Sequence, residues 1–242
     1  MSNDSSIPEN NENTSTSNKR AQGRLFVKPF EELRQLGCSM RELIHTMLRV
    51  NTAPENVRQE MAALTEHTKK LQQVLSDHAL NDATPCMSFN YDEGVRPYYV
   101  NTGLIGDHNP LAPVFDLQHA DGITFGTVHF GVGYEGPPGC VHGGFVAFFF
   151  DQILSQHILE IHKPSMTGTL SVRYIAPTPI MTDLQYTVRT KEIADSKVLV
   201  EGEIKANGKL CCTSDAIFVR ARSTNFLGKI RNELTNNDNK PV

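Results

Sequence analysis

The segment from Tyr134 to Gln152 constrains the chain most, because a turn rich in glycine and proline leads directly into an apolar helix. The turn ends at His142-Gly143-Gly144, and the helix that follows is apolar on nearly all sides apart from one carboxylate, Asp151. A helix of that composition belongs in a core. A carboxylate placed there is costly unless it is hydrogen-bonded or has a chemical task.

The start of this helix is a second feature with chemical consequences. Gly143 and Gly144 carry no bulky side chain, so their backbone N–H groups can be offered to a negative oxygen at the positive end of the helix dipole. An oxyanion site and a carboxylate nearby are two parts of an acyl-transfer hydrolase. The sequence therefore favours an enzyme of that class.

Length and composition exclude several other classes. The chain has 242 residues and a formal charge of −4, which suits one domain with extensions and predicts no nucleic-acid partner. Its five cysteines are odd in number and lack a C-x-x-C pair, as in reduced intracellular proteins. The longest apolar run, Phe145–Phe150, is far below the roughly 20 residues that span a bilayer. We expect a soluble cytoplasmic protein with no membrane partner.

Composition divides the chain into four regions. Residues 1–23 form a polar tail that we expect to be disordered, because it has hardly any apolar surface to bury. Apolar residues spaced by three and four predict a helical hairpin over 24–80, which packs on the main domain or on a partner subunit. Residues 86–224 form the main domain, and 225–242 a flexible tail. A regulatory or targeting role for the hairpin stays open.

Within the main domain the pattern predicts an α+β fold. The predicted strands are 114–119, 123–132, 168–175, 184–192, 197–205 and 210–221, with one helix at about 142–160. Asn207-Gly208 is the signal for a two-residue hairpin between the last two strands. A curved antiparallel sheet wrapped around one long buried helix is the simplest packing of these parts.

These motifs carry a resemblance to a known family. The segments Gly106–Leu111, Tyr134–Gly144 and Thr167–Tyr174, together with Asp151, resemble the hotdog-fold acyl-CoA thioesterases of the phenylacetate-degradation and thioesterase-superfamily-member types. The resemblance implies that Gly143 supplies an oxyanion N–H, that Asp151 is nucleophile or general base, and that Thr167 assists. Some relatives place an asparagine where this chain has Gly136.

Geometry then predicts the assembly. Gly143 and Asp151 are eight residues apart, so they lie about 12 Å apart along one helix. A thioester must meet both groups within about 3.5 Å, which one helix cannot readily provide. Two antiparallel copies can, so we expect a homodimer, possibly a dimer of dimers, that shares two active sites.

Four further residues are candidates for the site. His142 either shapes the entry to the helix or carries a proton, and Gly144 aids the oxyanion site. Phe148 is a candidate to line an acyl tunnel, although such phenylalanines are first of all core residues. Arg173 is a candidate to meet CoA phosphates, with a solvated surface role as its alternative. We expect acyl-CoA as substrate, and no cofactor or metal.

Two other functions remain as alternatives. One is a non-catalytic acyl-CoA-binding or regulatory module that uses the same pocket. The other is a hotdog enoyl-CoA hydratase, whose Asp and His stand five positions apart; here Asp107 is followed five positions on by Ala112, so that pair is broken. Aromatic, medium-chain and long-chain acyl groups stay open, as does an acyl-carrier-protein thioester.

Overall fold

A computed structural model describes residues 30–78, 106, 108–161, 165–194 and 196–220. The predicted tails at 1–23 and 225–242, the start of the main domain and Asp107 lie outside the described residues. The helices are α1 (Glu31–Met47), α2 (Glu55–Ser76) and α3 (Gly143–Glu160). The strands are β1 (Val114–Phe115), β2 (Gln118–Ala120), β3 (Ile123–His129), β4 (Ser165–Tyr174), β5 (Asp183–Ile193), β6 (Lys197–Ala206) and β7 (Lys209–Arg220).

All strands join one antiparallel sheet in the order β1-β3-β5-β6-β7-β4, with β2 also paired to β3. Asn207 and Gly208 both have positive φ, at 49° and 78°, as a two-residue hairpin between β6 and β7 requires. The single strand predicted over 114–119 is two short strands that are interrupted at Asp116. There the Asp116 carboxylate accepts hydrogen bonds from the backbone N–H and the hydroxyl of Thr127. The curled sheet around one long helix confirms the predicted fold class.

Helix α3 fills the concave side of this sheet. Gly202 of β6 lies directly beneath it, where an added Cβ would be 3.0 Å from the Phe150 ring, so the glycine lets helix and sheet approach closely. The apolar residues of α3 that are buried in the core lie on the side that faces the sheet: Val146, Phe149, Phe150, Ile153, Leu154 and Ile158. The prediction of one buried central helix is therefore correct for this side.

The opposite side of α3 is left partly open by the described residues. Phe145 is 37% exposed, and Phe148, Asp151, Gln152 and Ser155 are half-buried. These positions recur every three or four residues and so form one continuous stripe along the helix. A stripe that mixes two phenylalanines with a carboxylate is the surface on which the site is built.

The N-terminal helices are present as predicted, but they bury less than their apolar stripes suggested. In α1 the two buried residues are Gly37 and Arg41, whereas the apolar Met47 at its end and Val50 just beyond it are exposed. No residue of α2 is fully buried within the described part of the chain. Its exposed apolar side chains are Val57, Met61, Leu64, Val74 and Leu75. Packing of α2 on a partner subunit stays a prediction.

None of the described helices has the length and apolar composition that a membrane span requires.

A chain of hydrogen bonds connects the C-terminal half of α3 to the sheet. The buried His157 ring bonds through Nδ1 to the Thr124 hydroxyl (2.9 Å) and through Nε2 to the Thr190 hydroxyl (3.0 Å). Thr124 also bonds to His119 Nδ1 (2.8 Å). Burial, with a smaller effect of the nearby His119 ring, lowers the pKa of His157 to about 4, against a weak opposing effect of Glu160.

We expect this histidine to make stability depend on pH. Because the unfolded His157 binds a proton near pH 6.5 and the folded one only near pH 4, unfolding gains a proton in that window. The free energy of unfolding should therefore fall by about 3 kcal/mol between about pH 7 and about pH 4 through this residue. Urea denaturation of wild type and His157→Gln at both pH values checks this. The variant should show a smaller acid loss, and equal slopes would contradict the prediction.

Candidate active site

Two of the predicted residues meet directly. The Thr167 hydroxyl donates a hydrogen bond of 3.0 Å to Oδ1 of Asp151, although sixteen residues separate them. Oδ2 of the same carboxylate accepts a longer bond of 3.3 Å from the Gln152 amide. The carboxylate lies half-buried on the uncovered stripe of α3, at the side of the edge strand β4. It is thus oriented by the protein and still open to a reactant.

A β-bulge aims Thr167 at the helix. The pairing of β4 with β7 shifts register between Thr167 and Thr169. Leu170 and Val172 pack against the core, so without the bulge strict alternation would turn Thr167 to the outer face of the sheet. The intervening Gly168 has no room for a side chain, since an added Cβ would be 2.9 Å from Val219. The sequence predicted a strand here but not the bulge.

The start of α3 leaves one backbone donor open. The N–H groups of Phe145 and Val146 both donate to the His142 carbonyl, and Gly144 N–H donates to Nδ1 of the His142 ring at 3.0 Å. Within the described residues, the Gly143 N–H has no hydrogen-bond partner. Gly143 therefore fits the predicted oxyanion role, whereas the Gly144 N–H is already occupied by the protein's own side chain.

The Gly143–Gly144 peptide is held from both sides. The His142 ring accepts its N–H, and the Tyr174 hydroxyl donates a 2.8 Å bond to its carbonyl, that of Gly143. Tyr174 follows the bulge on β4 and is 54% exposed beside the open donor. Sequence reasoning missed this residue, because a tyrosine at the end of a strand carries no signal of such a contact.

His142 is the N-cap of α3, with its ring exposed and its Nδ1 bound to Gly144. This agrees with its predicted part in shaping the helix entry, while its proton-carrying role stays a prediction. Gly136 lies against it, and a Cβ there would be 2.8 Å from the His142 Cα. The asparagine found here in some relatives would not fit this turn without a rearrangement.

The structure gives the two remaining candidates different positions. Phe148 is half-buried on the uncovered stripe, one helical turn before Asp151. Arg173 is exposed and alternates with Val172, so it lies on the face of β4 that points away from the helix. Phe148 is therefore brought to the site within one chain, and Arg173 is not.

Two clefts of the described chain lie elsewhere. One is on the outer face of the sheet and is lined by charged side chains including Arg189, Lys191 and Glu201. The other separates α1 from the sheet beside His45 and His129. Neither is lined by Asp151 or Thr167. These two side chains thus face the open surface of α3 and β4 rather than either of these clefts.

Neither a family model nor a curated protein sequence matches the chain. Among solved structures, it is similar to a thioesterase superfamily protein that is 28% identical, with a TM-score of 0.66 over 82% of this chain and 100% of that chain. It also superposes on a hypothetical thioesterase from Streptococcus pneumoniae with coenzyme A (15% identity, TM-score 0.43, 45% of this chain and 89% of that one). The E. coli PaaI protein of the phenylacetic acid degradation operon is 14% identical, with a TM-score of 0.42 over 44% of this chain and 82% of that chain. The first match confirms the resemblance to hotdog-fold thioesterase superfamily proteins.

Proposed function

We propose that this chain, which shares the hotdog fold of the thioesterase superfamily, hydrolyses acyl-CoA thioesters to a free acid and CoA. The observation that carries the proposal is the hydrogen bond from Thr167 to Asp151 on the uncovered side of α3. A protein that only bound acyl-CoA would have no need of a carboxylate oriented in this way. The Gly143 N–H at the start of the same helix, which has no hydrogen-bond partner among the described residues, supplies the second element of a hydrolytic site.

The proposed site combines two protomers. Along one helix Gly143 and Asp151 are about 12 Å apart, too far to act on one carbonyl group. The surface around them is suited to a second copy, because Phe145 and Tyr174 are 37% and 54% exposed beside β4, which is an edge strand of the sheet formed by the described strands. An antiparallel partner would cover this surface and bring the partner's Asp151 to Gly143.

In the proposed reaction the thioester oxygen accepts a hydrogen bond from Gly143 N–H, at the positive end of the α3 dipole. The partner's Asp151 either attacks the carbonyl carbon or removes a proton from an attacking water. The Thr167 hydroxyl holds Oδ1, whereas Oδ2, which accepts only the longer bond from the Gln152 amide, is the oxygen proposed for this task. The C–S bond then breaks and the thiolate leaves without strong acid assistance, since an alkyl thiol such as that of cysteine has a pKa of only about 8.5. If Asp151 attacks, the mixed anhydride left on its carboxylate is hydrolysed by water to the free acid. If water attacks, the acid forms directly, and the proton taken by Asp151 passes to the thiolate or to solvent.

A direct assay tests the proposal. The purified chain is mixed with benzoyl-, octanoyl- and palmitoyl-CoA in the presence of a thiol-reactive dye, and acyl-carrier-protein thioesters are assayed in parallel. We expect release of free thiol from at least one class, at a kcat of about 1 per second or more, the lower end for typical enzymes. Tight binding of acyl-CoA without release would instead support the non-catalytic alternative.

A further inference from the structure

We infer that α1 is part of the active-site scaffold and that His45 is a positioning residue for the Gly143 donor. This inference rests on the proposed function and adds a residue that no motif of the hydrolytic site includes. It follows from a continuous set of contacts that begins on α1 and ends at the start of α3.

Helix α1 is attached to the domain by polar and backbone contacts at every fourth residue. Gly37 lies against the backbone of His108, where an added Cβ would collide with it. One turn later, Arg41 is 6% exposed and its Nη2 donates a 2.8 Å bond to the Asn109 carbonyl. One further turn places His45 on the same face of the helix. Contacts of this kind fix the position of α1 rather than merely covering apolar surface.

His45 packs against the turn at residues 131–134, which precedes α3. Its Nδ1 accepts a 3.0 Å bond from Gly133 N–H, and its ring packs 5.4 Å from that of Tyr134. Gly131 and Gly133 make room for the ring, since a Cβ on either would be 2.8 or 2.9 Å from its Cε1. Two glycines without side chains thus form the seat of this imidazole.

The environment keeps the ring able to accept that bond. Burial is the main cause that lowers the pKa of His45. The neighbouring Arg41 and Arg49 on α1 and His129 on β3 act in the same direction, while Glu42 opposes them. At neutral pH the ring is therefore uncharged, and Nδ1 is available as an acceptor for the Gly133 N–H.

The turn at residues 131–134 contacts the first residues of α3, so its position determines theirs. The Tyr134 carbonyl accepts a 2.8 Å bond from the N–H of His142, the N-cap residue. The Tyr134 ring also meets Phe145 edge-on at 5.0 Å. His142 in turn holds Gly144 N–H and so sets the peptide next to the open Gly143 donor. A shift of the turn would therefore displace the oxyanion donor, and a shift of about 1 Å in a reacting geometry can cost up to about 100-fold in rate.

Two substitutions separate the acceptor from the shape of the ring. His45→Phe keeps a ring in the glycine seat but removes the acceptor, whereas His45→Asn places a carbonyl oxygen close to the position of Nδ1. We expect kcat to fall about 10-fold in His45→Phe, with KM changed less than about 3-fold and Asn restoring most of the rate. Unchanged kcat in His45→Phe, or an equal loss in both variants, would overturn the inference.

Amide hydrogen exchange of the segment 131–146 provides a readout that does not need turnover. Exchange should be faster in His45→Phe than in wild type and His45→Asn, while the β6–β7 hairpin exchanges equally in all three. If wild type releases no CoA, the proposed hydrolysis fails, but the exchange rates still test the positioning. Equal exchange of 131–146 in all three proteins would refute it.

Discussion

Asp151→Asn is expected to reduce kcat for thioester hydrolysis at least ~100-fold, the usual scale for losing a catalytic base. The amide has nearly the shape of the carboxylate and can still accept the hydrogen bond that Thr167 donates to Oδ1. It can neither attack a carbonyl carbon nor take a proton from water at neutral pH. Steady-state kinetics with the best acyl-CoA of the panel measures the loss.

The control for this variant lies on the same stripe of α3. Ser155 is half-buried one turn beyond Asp151, so Ser155→Ala perturbs the same surface without touching the carboxylate. It should retain kcat within about 3-fold, as a surface change away from special features does. Thermal unfolding and the oligomeric state of both variants are measured beside kcat. A folded, correctly assembled Asp151→Asn protein with near-normal hydrolysis would exclude the catalytic role.

The parts of the site that were predictable are those encoded by local pattern. The apolar run after His142 predicted α3, and Asn207-Gly208 predicted the hairpin between β6 and β7. Both were predictable because helix composition and turn chemistry act over a few residues. The meeting of Thr167 with Asp151 agrees with the family resemblance. Each of these inferences needs only a residue type and its near neighbours, or a motif that combines them.

The parts that were missed depend on contacts between distant segments. The docking face of α1 carries Gly37, Arg41 and His45, whereas hydrophobic periodicity identified the apolar stripe beside it. A glycine chosen for close approach and a histidine chosen as an acceptor have no periodic signature. The occupation of Gly144 N–H by the His142 ring is likewise a matter of side-chain conformation, and the spacing of the motif does not contain it.

Gly143→Pro is expected to lower kcat at least ~100-fold relative to Gly143→Ala, the scale for removing one oxyanion donor. Proline removes the open N–H but suits this place, since Gly143 is the first residue of α3 and proline is favoured there. His142 already has the extended conformation, with ψ of 132°, that a residue before proline adopts. A Cβ at this position, in alanine or in proline, would be 3.2 Å from the Tyr174 ring, so the two variants differ chiefly in the backbone N–H. Equal kcat in both variants would remove Gly143 from the mechanism.

Mixing the two inactive proteins then tests whether the site is shared. A hybrid dimer of Asp151→Asn and Gly143→Pro protomers contains one site in which both altered groups meet and one in which neither does. Statistical exchange of subunits should therefore restore about a quarter of the wild-type rate, because half the dimers are hybrids with one intact site of two. Each protein mixed with itself is the control. If each site were built within one chain, every protomer would carry a defect, and the mixture would stay as inactive as its components.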